Sequence, residues 1–318
     1  MPETTLEEKT NNIYTAPMPY IIAVGGGKGG VGKSFFSSNL SLAISRHASV
    51  CVIDLDLGAS NLHTCLGKHN ISRTLSDYLH GNYGLSEIVQ NTKYPNLSFI
   101  GGSQDSLEVT QIKNKKIKKL LCDIKTLPFD YVILDLGAGT SKSTIQFFLS
   151  AHNSLILTSP DPTSIENAYR FLKTAFYQKI LSVKTSDNIR VSINQIMSNK
   201  AKFNIKSPSQ LITQLSKENP FYAKLLKNDL ENLNIGIVVN QVRMLSEEKL
   251  GTGITRVCKQ YFGISCQFYG SIKYDDAVWQ SLRKSEPLLN AYPYEQISQQ
   301  IINIAKILVG SKDKIAVV

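Results

Sequence analysis

Gly27-Lys28-Gly29-Gly30-Val31-Gly32-Lys33-Ser34 satisfies the spacing G-x-x-x-x-G-K-[ST], whose residue types suit the binding of phosphate. Glycines let backbone N–H groups curl around an α- and a β-phosphate, and a helix beginning there adds a favourable dipole. Lys33 has the reach for β- and γ-phosphates, and the Ser34 hydroxyl can ligate Mg²⁺. The competing reading is a glycine-rich turn with a chance lysine. Lys28 is a second lysine inside the same loop. Either it is solvated, or it completes a charge clamp on phosphates from a second subunit. Two carboxylates, Asp54 and Asp135, end apolar runs, where a buried charge is costly without a partner.

A phosphate loop needs a strand before it and a helix after it. Tyr20–Val24 is a short β-prone run, and Phe35–Ile44 is compatible with a helix. Similar runs follow at Val50–Leu55, Leu97–Ile100, Tyr131–Leu136, Leu155–Thr158, Ile235–Val239 and Gln267–Ile272. Several are apolar at nearly every position, as parallel strands covered on both faces are. Helical period appears between them, in Ile117, Leu120, Leu121 and Ile124, in Leu250, Ile254, Val257 and Tyr261, and in Ile297, Ile301, Ile304 and Leu308. Strand alternating with helix predicts a doubly wound α/β fold, with a mostly parallel sheet and helices on both faces. Residues 1–19 read as an N-terminal tail, 20–309 as one domain and 310–318 as a C-terminal tail. The polar, Asn/Ser/Lys-rich stretch at about 180–233 reads as an insert of short helices, either a docking surface or padding.

The 318 residues are 42% hydrophobic and 19% charged, which excludes a largely disordered chain. Apolar stretches such as Ile235–Val239 fall far short of the ~18 residues of a membrane span. The first twenty residues are polar and begin acidic, unlike a signal or basic transit peptide, so a cytoplasmic location is expected. A net charge of +10 favours loose attraction to nucleic acid or anionic lipid. Cys51, Cys65, Cys122, Cys258 and Cys266 include no Cys-x-x-Cys pair, which argues against disulfide, zinc and iron–sulfur frameworks.

Lys28–Ser34 resembles the deviant Walker A motif of the MinD/ParA family of P-loop ATPases. Asp54-Leu55-Asp56-Leu57-Gly58-Ala59-Ser60-Asn61 is similar to the family's switch I, and Tyr131–Gly139 to its Walker B strand and switch II. Gly25–Ser34, Asp56–Gly58 and Pro162–Tyr169 look most like the flagellar-number and site-determining branch (FlhG, FleN) and MinD. The resemblance implies an ATP-hydrolysing spatial switch that uses Mg²⁺ and forms an ATP-dependent homodimer. It implies that Asp56 orients the attacking water, and that Lys28 crosses to the partner's nucleotide. Ser34, Asp56 and Asp135 would serve the metal. Gly27, Lys28, Gly29, Gly30, Val31, Gly32, Lys33, Ser34, Phe35, Asn61, Gly139, Asn240 and Lys273 would line the nucleotide, with Gly137 helping Gly139 to bring switch II to the γ-phosphate. Asn240 would read the adenine edge, unless it is an ordinary loop asparagine. Lys273 stands where the family often has a proline. Asp54 either shares the chemistry or caps the loop.

Three surfaces are conceivable for such a switch. Lys113, Lys115, Lys116, Lys118 and Lys119 form the densest basic run, either a solvated helix face or a site for DNA phosphates or acidic lipids; Lys200, Lys202 and Lys206 add to it. A partition ATPase on non-specific DNA is therefore the alternative function. Membrane association would need a C-terminal amphipathic helix, and Gly310–Val318 offers only Ile315, Val317 and Val318. A protein partner or activator of hydrolysis is the third. An electron-transfer or cluster-carrying relative would need bridging cysteine pairs, and a non-catalytic scaffold would not need Lys28, Lys33, Ser34, Asp56 and Asp135 together.

Overall fold

The computed structural model describes residues 18–315 apart from 57, 59, 103–113, 183–190, 192, 194, 197, 199–204 and 206. Leu57, Ala59, Lys113, Lys200, Lys202, Lys206, the tail up to Pro17 and residues 316–318 therefore lie outside the described residues.

The apolar runs form one sheet. Its strands are β1 (Tyr20–Gly25), β2 (Val50–Leu55), β3 (Gln90–Asn91), β4 (Leu97–Ile100), β5 (Tyr131–Leu136), β6 (Asn153–Thr158), β7 (Ile235–Val242) and β8 (Cys266–Lys273). Their spatial order is β3-β4-β2-β5-β1-β6-β7-β8. Among the described residues, only the short edge strand β3, for which the sequence carries no apolar run, is antiparallel. Side chains alternate between two cores because the strand period is two. Ile21, Ala23, Cys51, Ile53, Val132 and Leu134 enter one core. Ile22, Val24, Val50, Val52 and Ile133 enter the other.

Helices cover both faces. On one side pack α1 (Lys33–Ser45), α11 (Leu288–Ala291) and α12 (Gln296–Ile315), with α2 (Leu62–Cys65) beside α1. On the other pack α3 (Leu75–His80), α4 (Asn114–Ile124), α5 (Lys142–Ser150), α6 (Pro162–Ser182), α7 (Pro208–Glu218), α8 (Pro220–Glu231) and α9 (Leu250–Val257). The eighth strand leads into α10 (Asp276–Arg283). The polar insert contains α7 and α8, each opened by a proline in its first turn and an Asn or Ser cap.

The expected periods hold on α4 and α12, where Ile117, Leu120, Ile124, Ile297, Ile301, Ile304 and Leu308 are buried. On α9 the stripe differs. Ile254 is buried, but Val257 and Tyr261 are 39% and 37% exposed, while Cys258 and Phe262 point inward. A π-turn at Cys258–Phe262 follows the helix and rotates the face on which Tyr261 lies, whereas Val257 precedes the turn. The last helix runs on to Ile315, through the glycine at which a tail was expected to begin.

Candidate nucleotide-binding site

The loop between β1 and α1 emerges at the centre of the sheet, between the ends of β5 and β6. Gly32 caps α1 with φ +89°, and a Cβ there would lie 2.6 Å from Asn240 Nδ2, so both conformation and space call for glycine. At Gly27 a Cβ would collide with the Asn167 carbonyl. The first-turn N–H groups of Lys33, Ser34 and Phe35 face the loop end of α1 and lack intrahelical acceptors, as at any helix start. Phe35 offers the site only this backbone, because its side chain is buried in the core.

The two lysines behave oppositely. Lys33 is 7% exposed, and its Nζ donates to the Lys28 carbonyl at 3.3 Å. Burial lowers its pKa, while the charges of Asp135 and Asp56 oppose that shift. Those two carboxylates and Lys33 are thus within electrostatic reach of one another. Lys28 is half-buried with its side chain 40% exposed, and its Nζ donates to Asp161 Oδ1 at 3.0 Å and Thr163 Oγ1 at 2.8 Å.

Asp135 is buried at the end of β5. Its Oδ1 accepts from Ser37 Oγ at 2.8 Å, and the Ser34 hydroxyl lies close enough to favour its charged form. Among the described residues, Asp135 Oδ2 is buried with no hydrogen-bond partner. An orphaned carboxylate oxygen beside a serine hydroxyl fits a hard cation such as Mg²⁺, which prefers oxygen ligands. Burial, and then the neighbouring Asp54, push the Asp135 carboxyl well above the ordinary carboxylate range.

Asp54 is Asp135's partner in the β2–β5 register. It accepts from Ser60 Oγ at 2.6 Å, Asp56 N at 3.0 Å and Leu62 N at 3.2 Å. Asp54 therefore caps the loop carrying Asp56. Asp56 Oδ1 accepts from Gly58 N at 3.4 Å and lies against Gly137, where a Cβ would sit 3.1 Å from it. Asn61 is exposed at the start of α2, and Gly139 has φ +88°.

On the far side of the loop, buried Asn240 donates its Nδ2 to the Val31 carbonyl at 2.8 Å. Its amide is a strut for the loop, and its Oδ1 is what remains for reading a base. Lys273 lines a small hollow of about 310 Å³ with Val242, Arg243, Met244, Glu248 and Tyr274. Its ammonium turns towards Gln296 at 3.4 Å and Glu248 at 3.9 Å, and its N–H bonds Gln300 Oε1 at 3.0 Å. Three site residues escaped the sequence reading. Asp161 and Thr163 hold Lys28 from more than 130 residues away, and Gln241 donates to the Gly30 carbonyl at 3.1 Å. Only the Pro162–Tyr169 similarity pointed near the first two.

The basic run is partly used by the fold. Lys116 donates to the Leu79 carbonyl at 2.7 Å, and Lys119 sits 5.5 Å from the Tyr78 ring centre. Lys115 and Lys118 stay exposed beside them. Among the described residues, no helix is long and apolar enough to cross a membrane.

Comparison with known proteins follows the same lines. A family profile described as "ParA: NUBPL iron-transfer P-loop NTPase" matches residues 18–204. The flagellum site-determining protein YlxH of Helicobacter pylori is 28% identical over 278 residues, 80% of this chain and 90% of that protein. The antiactivator FleN of Pseudomonas aeruginosa is 24% identical over 284 residues, 87% of this chain and 82% of FleN. The chain covers less than two thirds of the septum site-determining MinD of Helicobacter pylori. The septum site-determining protein MinD of Pyrococcus horikoshii, solved as a complex with Mg-ADP, superposes with a TM-score of 0.63 at 19% identity, over 92% of this chain and 96% of that one. The doubly wound, mostly parallel sheet and the central phosphate loop are those of that fold, and the chain belongs to the ParA family of P-loop NTPases.

Proposed function

We propose that the chain is a Mg²⁺-dependent ATPase acting as a spatial switch. ATP would assemble a homodimer that engages a surface or partner, and hydrolysis to ADP and phosphate would release it. The observation that carries this reading is the opposite disposition of two lysines in one loop. Lys33 is buried towards Asp56 and Asp135, while Lys28 lies at the surface, where a second subunit can meet it.

The loop N–H groups and Lys33 would hold the phosphates. Asp56, held by its capped loop against Gly137, would accept from the attacking water and orient it towards the γ-phosphorus. Ser34 and Asp135 would hold Mg²⁺, which when bound neutralises charge on the β- and γ-oxygens. Lys28 would add a positive charge to the partner's nucleotide. Slow turnover suits a device whose bound lifetime is its output.

The cellular role rests on similarity to YlxH, FleN and MinD, and points to the positioning or number of a structure such as the flagellum. The partition reading draws on exposed Lys115 and Lys118, which DNA phosphates could meet. A cluster-carrying role is disfavoured because Cys51, Cys65 and Cys258 are buried.

Steady-state phosphate release by wild type and Asp56→Ala tests the enzymatic reading. Hydrolysis should fall about 10²- to 10⁴-fold with nucleotide still bound; unchanged turnover would end the assignment of Asp56. The trapped variant then separates the surfaces. Salt-sensitive, ATP-dependent binding of a random duplex would favour partition, whereas its absence, with altered flagellar number on deletion, would favour site determination.

A further inference from the structure

The end of β7 departs from a regular strand. Val239 pairs with Ser271 and Val242 with Lys273, so three steps along β7 match two along β8. One extra residue is inserted, which is a β-bulge, a device that re-aims side chains. Gln241 has φ +62°, a left-handed backbone that costs a residue with a side chain. In a regular strand, consecutive side chains point to opposite faces. Here Asn240 and Gln241 both reach the phosphate loop and donate to consecutive carbonyls, Val31 at 2.8 Å and Gly30 at 3.1 Å. In a trans peptide the C=O and the following N–H point opposite ways. Holding the Gly30 carbonyl towards β7 therefore directs the Val31 N–H away from it, and holding Val31 does the same for Gly32.

We propose that Gln241 is a positioning residue for phosphate binding. Its left-handed backbone and its amide hold the Gly30 carbonyl, so that the loop N–H groups are set in advance for the phosphates of a nucleoside di- or triphosphate. The inference rests on the nucleotide-binding reading above. It assigns the strain at Gln241 a role, since strain of this kind persists only where the surroundings over-determine it. It also separates the two amides: Asn240 is buried against Gly32, whereas Gln241 is half-exposed, so its loss need not disturb the core.

The test uses two substitutions in the full chain. Gln241→Glu keeps the shape and removes the donor, and Gln241→Gly relieves the backbone and removes the side chain. Binding of Mg-ADP is followed by titration calorimetry, ATP turnover by KM and kcat, and the nucleotide-free loop by hydrogen–deuterium exchange over residues 28–32. Loss of one amide–carbonyl bond predicts a Kd and KM raised about three- to tenfold, with kcat within about twofold of wild type. Exchange in the loop should be faster in both variants, with the thermal midpoint of Gln241→Gly not lowered, because the relieved backbone offsets the lost bond. Unchanged exchange and unchanged Kd in both variants would overturn the proposal. So would a fall in thermal midpoint that accounts for the lost binding, since the role would then be structural. If wild type binds no nucleotide, the functional reading fails, and the exchange experiment still decides whether Gln241 holds the loop.

Discussion

Lys28 Nζ lies 3.0 Å from Asp161 Oδ1, across the mouth of the phosphate loop and within the same subunit. Asp161 also accepts from Ser159 Oγ at 2.6 Å and Ser164 N at 2.9 Å. Its bonds from the Ser159 and Thr163 hydroxyls, with a smaller contribution from Lys28, hold the carboxyl well below its ordinary range. It stays ionised at any physiological pH. A Lys28 that serves a second subunit must leave this carboxylate first. Asp161→Asn should therefore ease ATP-dependent dimerisation. An ion pair this exposed is worth at most about 1 kcal/mol and each of the two subunits gives one up, so the dimerisation midpoint should drop no more than about 30-fold. Sedimentation of the variant with ATP, on an Asp56→Ala background, measures it. A weaker dimer would show that Asp161 supports the assembled state instead.

The facing carboxylates Asp54 and Asp135 should make the nucleotide-free protein sensitive to pH. Burial raises both above their ordinary value of 3.8. A carboxyl whose pKa is raised on folding contributes stability that is full below its unfolded pKa and is lost as pH rises through its folded one. The thermal midpoint should therefore fall as pH rises from about 4 through neutrality, for this pair's share of the stability. Asp135→Asn removes one buried charge and should flatten that slope. A slope as steep in the variant as in wild type would place the titration elsewhere.

Gly32→Ala combines a left-handed backbone with a Cβ 2.6 Å from Asn240 Nδ2. The conformation alone costs about 1–3 kcal/mol, and relief of the contact would have to move buried Asn240. Chemical denaturation should show a loss of that size, and Mg-ADP binding should fall at least about tenfold. Wild-type affinity would mean that the loop rearranges without harm.

On α4 the lysines divide by role. Lys116→Ala removes a bond to the Leu79 carbonyl and should cost about 0.5–1.5 kcal/mol of stability. Lys115→Glu with Lys118→Glu should leave stability within about 0.5 kcal/mol of wild type. If DNA is the surface, the double variant should lose duplex binding and lower its salt slope, read by anisotropy across a salt series.

Much of the scaffold is legible from local pattern. Val50–Leu55, Leu97–Ile100 and Tyr131–Leu136 are strands with the bounds that their apolar runs predict, because a strand covered on both faces is apolar at nearly every position, Asp54, Ser98 and Asp135 being the exceptions. The phosphate loop is equally readable, since its glycines and lysine act within one turn of chain. What escapes is set at long range or by irregularity. Asp161 meets Lys28 only because β6 lies beside β1, and nothing local marks the pair. Gln241 reaches Gly30 through a bulge, and no residue type announces a bulge at a glutamine. Tyr261 is placed outward by a π-turn that the 3.6-residue period does not foresee.

The central position of β1 also has a history in time. Tyr20 pairs with Tyr131, and Ile22 with Asn153, so β1 waits for neighbours made more than a hundred residues later. Such distant pairings are the slow part of folding. During synthesis the phosphate loop leaves the ribosome long before the carboxylate of Asp135 or the end of β6 exists to frame it. Nucleotide cannot guide the early steps of folding, and capture of ADP by a growing chain would mark the moment at which the middle of the sheet closes.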